Sequence, residues 1–136
     1  PVTRLEVAQM LLPLADDQLP APELTDTAEE AARRAAANRF FPLEKGCFAP
    51  RRTISRQEMA TVAMQACGVN YRNASSTMPV CTDVDRVANN YGTNAARALY
   101  FGFMQLEADG RFDPERPVSR KEAVEILDRV ADFAGL

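Results

Sequence analysis

The 136-residue sequence contains no histidine and no tryptophan. Without histidine the chain lacks the commonest general base near neutral pH and the commonest zinc ligand together. Its three cysteines, Cys47, Cys67 and Cys81, are too few and odd in number for a disulfide-framework fold. A Cys67–Cys81 bridge would close a loop of about 15 residues, worth roughly 3 kcal/mol in the chain-entropy model. Buried or half-buried thiols are the plainer expectation. No apolar run approaches the roughly 20 residues needed to span a bilayer. Nor is there an excess of positive charge. A net charge of −3 and a pI near 5.0 argue against nucleic acid or an anionic membrane as the main partner. The chain starts at Pro1 without an initiator Met, as expected of a processed or excised piece.

What is present is ordinary in bulk and organised in detail. Apolar residues at 46% and charged residues at 26% suit one compact domain, or a short array of repeats, with a core of its own. A four-residue signature then occurs three times: Thr3-Arg4-Leu5-Glu6, Ser55-Arg56-Gln57-Glu58 and Ser119-Arg120-Lys121-Glu122. A hydroxyl residue followed three positions later by Glu is a capping box, in which the hydroxyl accepts from the N3 amide and the carboxylate reaches back to the N-cap amide. The arginine at N1 plays no part in that chemistry. A cation at a helix start is mildly unfavourable, so three of them ask for a reason outside the helix.

Each box opens an apolar stripe at helical spacing. Val7, Met10, Leu11 and Leu14 are matched by Met59, Val62, Ala63 and Ala66 at an offset of 52, and by Ala123, Ile126, Leu127 and Val130 after a further 64. Gly46-Cys47-Phe48-Ala49-Pro50 and Gly110-Arg111-Phe112-Asp113-Pro114 stand 64 apart as well. A unit is therefore helix, glycine-containing loop, capping box, helix. The expected division is a partial repeat over 1–16, a linker over 17–24, a repeat over 25–68, a connector over 69–80 and a repeat over 81–136. Helices are expected from Arg4 to Leu12 or Ala15, kinked or ended by Pro13, over Ala28–Phe40, and from Arg56 through Ala66 with Gly68 as the C′ residue. Two more are expected over Thr93–Phe101 and Arg120–Phe133. Asp26 and Asp83 read as helix caps, Phe48 and Phe112 as loop anchors in the core, and Asn73-Ala74-Ser75 as a glycosylation sequon of little weight.

These motifs and their order resemble the S-layer homology domain family. The last copy carries the likeness best, in Thr82-Asp83-Val84, Asp109-Gly110-Arg111-Phe112-Asp113-Pro114 and Val118-Ser119-Arg120-Lys121-Glu122. The middle copy has Lys45 where the family prefers Asp, and the first keeps only Val2-Thr3-Arg4-Leu5-Glu6 and its helix. The resemblance implies an all-α fold: tandem helix-loop-helix repeats in a pseudo-threefold bundle with long loops. It also implies a non-catalytic anchor on the bacterial cell surface. Such a module binds an anionic wall polysaccharide, or associates with peptidoglycan, in grooves between repeats. On that resemblance the glycan-contacting residues are Arg4, Arg56 and Arg120. A planar guanidinium suits an anionic sugar because it can grip a carboxylate in a bidentate way. Replacing all three by Ala is expected to abolish binding and leave the helices intact.

The family's aromatic sugar platform, often Trp, is missing, with Phe101, Phe103, Tyr91 and Tyr100 as substitutes. That absence is what favours the alternative, a protein–protein module within a surface assembly whose glycan grooves have degenerated. Asp109-Gly110 tempts a calcium reading, but Arg116 would fall where a calcium loop places its bidentate Glu. No metal, cofactor or catalytic residue is expected, and no enzyme, since the carboxylates are largely explained by caps and no nucleophile has a recognisable base.

Overall fold

A computed structural model describes residues 1–68 and 81–135, the Asn89 side chain excepted. Five α-helices make up its regular structure: α1 (Arg4–Met10), α2 (Glu30–Ala37), α3 (Arg56–Ala66), α4 (Gly92–Tyr100) and α5 (Arg120–Ala134). Among the described residues β-structure is confined to isolated bridges, so the chain is all-α as expected. The connector 69–80 and its Asn73 sequon lie outside the described residues.

Three helices start at the signature. Thr3 and Ser55 form reciprocal capping boxes with Glu6 and Glu58. At α5 Ser119 accepts from the Glu122 amide at 3.1 Å, but the return bond is absent because Glu122 is committed to two arginines. Helix α1 is shorter than expected. Pro13 has no N–H to continue the ladder, and the chain tightens into a 3-10 turn over Leu12–Leu14. Helix α2 is also shorter, and Asp26 does not cap it; the nearest cap-like contact is Glu29 N–H to the Thr27 hydroxyl at 3.1 Å. Its Glu30–Arg34 pair at 2.6 Å is an i, i+4 contact on a solvated face. Before α4 the chain makes 3-10 turns over Val84–Arg86 and Asn89–Tyr91. Gly68 and Gly135 follow the ends of α3 and α5 in the left-handed region, at φ +67° and +82°.

Helix α2 packs on α1 and α4 packs on α3, while α3 and α1 both meet α5. The core between them is built from the stripes together with Phe48, Phe112 and Phe103, all 1% exposed or less. Each such ring contributes roughly 1.5–3 kcal/mol relative to exposure. Cys81 is a buried thiol, and burial pushes its pKa up, while Cys47 is a free, exposed thiol. The Cys67 thiol donates to the Met64 carbonyl at 3.2 Å.

Candidate functional site

The chemistry that recurs along the chain gathers where each phenylalanine loop meets the capping boxes. Each loop is held by an aspartate 22 to 30 residues upstream, on the far side of a helix. Asp26 accepts the amides of Phe48 and Ala49 at 2.9 and 2.8 Å, and Asp83 those of Phe112 and Asp113 at 2.8 and 2.9 Å. These aspartates are loop clamps, not helix caps. For Asp83 burial pushes the carboxyl pKa up, but the two amide donors outweigh it and hold the group below its usual range. For Asp26, which is exposed, the amides of Phe48 and then Ala49 lower the pKa. The clamps orient Phe48 and Phe112 inward and turn their carbonyls toward the arginines. The residue after each ring, Ala49 or Asp113, sits at φ +56° or +59°.

Arg4 and Arg56 are buried, each with a side chain only 3% exposed. Arg4 Nε donates to the Phe48 carbonyl at 2.7 Å, Nη2 to the Pro42 carbonyl at 3.2 Å and Nη1 to Glu58 at 3.4 Å. Its guanidinium carbon lies 4.8 Å from the Phe41 ring centre and 5.2 Å from that of Phe48. Burial, and then the neighbouring Arg52, draw its pKa down, with Glu58 opposing. Arg56 repeats the pattern one unit later. Its Nε donates to the Phe112 carbonyl and its Nη2 to the Gln105 carbonyl, both at 2.6 Å; Nη1 pairs with Glu122, and the Phe112 ring lies 5.1 Å away. Arg120 differs. It pairs with Glu6 but is 65% exposed, and no loop carbonyl receives it among the described residues. The three arginines thus form a circuit, each reaching the capping-box glutamate of the next copy: Arg4 to Glu58, Arg56 to Glu122, Arg120 to Glu6.

This explains the N1 arginines. Two of them lock one helix start to the loop of the following copy, with side chains 3% exposed and three of their five N–H donors engaged inside the chain. Removing either would strand buried carbonyls and a carboxylate, so Ala substitution there cannot leave the fold untouched. Triple replacement by Ala is therefore expected to cost stability as well as any binding.

Sequence reasoning missed a second pair of cations, Arg52 and Arg116. Arg52 binds Glu58 at 3.1 Å, and Arg116 binds Glu122 at 3.0 Å and Glu107 at 2.8 Å. Each stands three residues before its cap, and they are 64 apart, so the repeat offset was the signal that could have found them. Arg52 is half exposed and opens onto a groove of about 430 Å³ between the middle and last copies, with Glu44, Glu58, Tyr91 and Glu115 among its walls. Of the candidate aromatics, Tyr91 lines that groove. Phe103 is buried, Phe101 stacks on Phe103 with centroids 5.8 Å apart, and Tyr100 is exposed elsewhere.

Helices capped by hydroxyl–glutamate boxes, joined through aspartate-clamped phenylalanine loops and cross-locked by arginines, define a small helical module. Residues 82–124 match the family model of the S-layer homology domain, a stretch that runs from the Asp83 clamp through the Phe112 loop to the last capping box. That family consists of non-catalytic domains that anchor proteins to cell wall polymers at the cell surface. No curated protein matches the chain. No helix among the described residues is long and apolar enough to cross a membrane.

Proposed function

We propose that the whole chain is an S-layer homology module of two full repeats and the back half of a third, arranged with pseudo-threefold symmetry, and that it anchors its protein to the bacterial cell wall. The observation that carries this reading is recurrence. The contacts inside the matched segment 82–124 (Asp83 to the Phe112 and Asp113 amides, Arg116 to Glu122) recur 57 or 64 residues earlier as Asp26 to the Phe48 and Ala49 amides and Arg52 to Glu58. The units are 1–16, 25–68 and 81–136, with 17–24 and 69–80 connecting them.

The ligand in this reading is an anionic wall polysaccharide, either a secondary wall polymer or one associated with peptidoglycan, held in the inter-repeat grooves outside the cell. Arg4 and Arg56 serve it from behind, fixing the groove walls. Direct contact falls to Arg120 and Arg52, the most exposed of the cations that pair with the capping-box glutamates, and to Tyr91 as the aromatic surface. Nucleic acid is not a partner at net charge −3. One observation favours the second reading, a protein–protein module among surface-layer chains: the groove beside Tyr91 has three glutamates and a single arginine among its walls.

Co-sedimentation with sacculi separates the two. Purified chain should pellet with intact sacculi and remain in solution with sacculi stripped of their secondary polymer. Failure to pellet with either preparation would rule out glycan anchoring and leave the protein–protein reading.

A further inference from the structure

The last unit is longer than the middle one, and the extra length builds a wall of the Tyr91 groove. Asp83 stands 29 residues before the Phe112 amide it clamps, and Asp26 stands 22 before that of Phe48. Most of the difference lies ahead of the helix: residues 84–91 separate Asp83 from α4, where only 27–29 separate Asp26 from α2. The longer segment folds as the two 3-10 turns, with Val87 buried between them and Tyr91 ending the second. Tyr91 is partly buried against the core and also lines the groove.

The turn that carries Tyr91 is closed by its N–H on the Ala88 carbonyl at 2.9 Å, and so short a 3-10 turn fixes little by itself. Helix α3 holds it from the other side. The Ala88 N–H donates to Gln57 Oε1 at 3.1 Å. One helical turn further along α3, the Thr61 hydroxyl accepts from the Asn94 side-chain amide at 3.3 Å. Tyr91 is thus bracketed in sequence by two residues that α3 grips. Only the middle signature can supply the first of these contacts. Gln57 is its variable third residue, where the other copies have Leu5 and Lys121. Leucine has no acceptor, and a lysine ammonium only donates.

We propose that Gln57 is the positioning residue of the Tyr91 groove: by holding the Ala88 amide it sets the 3-10 turn, and with it the tyrosine ring, as the wall against which the ligand rests. The longer segment and the acceptor that receives it come from neighbouring copies and meet at the junction of the middle and last units. As a statement about ligand binding, the proposal rests on the wall-anchoring reading of this groove.

Gln57→Leu installs the side chain of the first copy and removes the acceptor. Hydrogen exchange should then quicken about tenfold at the Ala88 and Tyr91 amides and stay unchanged at Val62 and Ile126. Gln57→Glu keeps an acceptor oxygen and should hold both amides at the parent rate. Because Gln57 itself lines the groove, a double variant separates positioning from direct contact. With intact sacculi, Gln57→Leu and Tyr91→Ala should each bind about tenfold more weakly, and the double variant also about tenfold and not about a hundredfold, since both act through one ring. Additive losses would overturn the proposal by making Gln57 a ligand contact. So would unchanged exchange at Ala88 and Tyr91 in Gln57→Leu, or a Gln57→Glu chain that exchanges as fast as Gln57→Leu. Exchange quickened equally through α3 and α5 would overturn it too, as the mark of a general stability residue. Should the parent chain pellet with no sacculi, wall anchoring fails, and the exchange rates still decide whether Gln57 holds Tyr91 in place.

Discussion

The Arg56 guanidinium and the Glu122 carboxylate, 66 residues apart in sequence, pair beneath the last capping box, with the arginine side chain 3% exposed and the glutamate 20%. The same glutamate holds Arg116, and the same arginine holds the carbonyls of Phe112 and Gln105. One buried cation therefore ties a helix start, a loop and the next helix start into a single unit. Its removal strands all three.

Arg56→Ala is accordingly expected to cost about 3–5 kcal/mol, the range for breaking a buried pair from one side. Domains of this size have only about 5–15 kcal/mol in hand. Arg120→Ala, at the same point of the signature but exposed, should cost less than about 1 kcal/mol. Urea denaturation followed by circular dichroism gives both numbers. Arg56→Lys should recover little, because one ammonium cannot satisfy two carbonyls and a carboxylate in the planar geometry the guanidinium uses. Equal costs at Arg56 and Arg120 would contradict the assignment of Arg56 as an internal lock.

Acid should loosen the loops through Asp83. Its pKa is lower in the folded chain than in the unfolded one, so the native state binds its proton less readily. The resulting stability is fully present above the unfolded value of about 3.9 and is lost as pH falls through the folded value. Thermal midpoints of the native protein should therefore drop steeply below about pH 4. Asp83→Asn keeps the shape but has one acceptor oxygen where two are used, and is expected to cost about 1–3 kcal/mol at neutral pH. The variant's midpoint should also fall less steeply than the native one on the acid side. A parallel acid profile in variant and native protein would show that Asp83 does not carry the effect.

Helix starts and the recurring stripe were legible in the sequence because both are local. A hydroxyl three residues before a glutamate, followed by apolar residues at helical spacing, specifies its structure within a dozen residues. Phe48 and Phe112 were legible as core anchors for a related reason: a large ring in a polar loop has few places to go. The arginines were not. Whether an N1 side chain faces solvent or the interior depends on a loop 44 or 56 residues away, and nothing near Arg4 or Arg56 encodes the Phe48 or Phe112 carbonyl. Asp26 and Asp83 failed in the same way. Each precedes a helix and looks like its cap, but its acceptors are engaged by amides 22 to 30 residues downstream.

Comparing the two copies of the unit exposes a backbone weakness in the middle one. After α4 the chain closes with Gly102 at φ +78°, its N–H donating to the Leu99 carbonyl at 3.2 Å and that of Phe103 to Ala98 at 3.0 Å. After α2 the same paired bonds form, Arg39 to Ala36 and Phe40 to Ala35, each at 3.0 Å, but Arg39 has to adopt φ +59°. A residue with a Cβ is disfavoured there by roughly 1–2 kcal/mol, and the Arg39 side chain is exposed. Arg39→Gly should raise stability by about 0.5–1 kcal/mol, reduced from the full steric cost by glycine's greater freedom when unfolded. An unchanged or lower urea midpoint would show that the Arg39 side chain contributes something its exposure hides.

The groove beside Tyr91 offers the sharpest check on what the module holds. Arg52 is half exposed and its pair with Glu58 contributes little to stability, so Arg52→Ala is a clean probe of the surface. Tyr91 is the aromatic among the groove residues, and Tyr91→Ala tests it. If the groove grips wall polymer, each single substitution should weaken sacculus co-sedimentation about tenfold, equivalent to about 1.4 kcal/mol, with the urea midpoint of Arg52→Ala within about 1 kcal/mol of the parent. Charge supplies a second readout. A ligand carrying carboxylates should bind more tightly when Glu115→Gln removes a repelling charge from the rim, and raised salt should narrow that gain. A ligand carrying amines should respond in the opposite sense. Should neither substitution move the pelleted fraction while Arg120→Ala does, the contact belongs beside α5, and the Tyr91 groove is a surface for other protein chains.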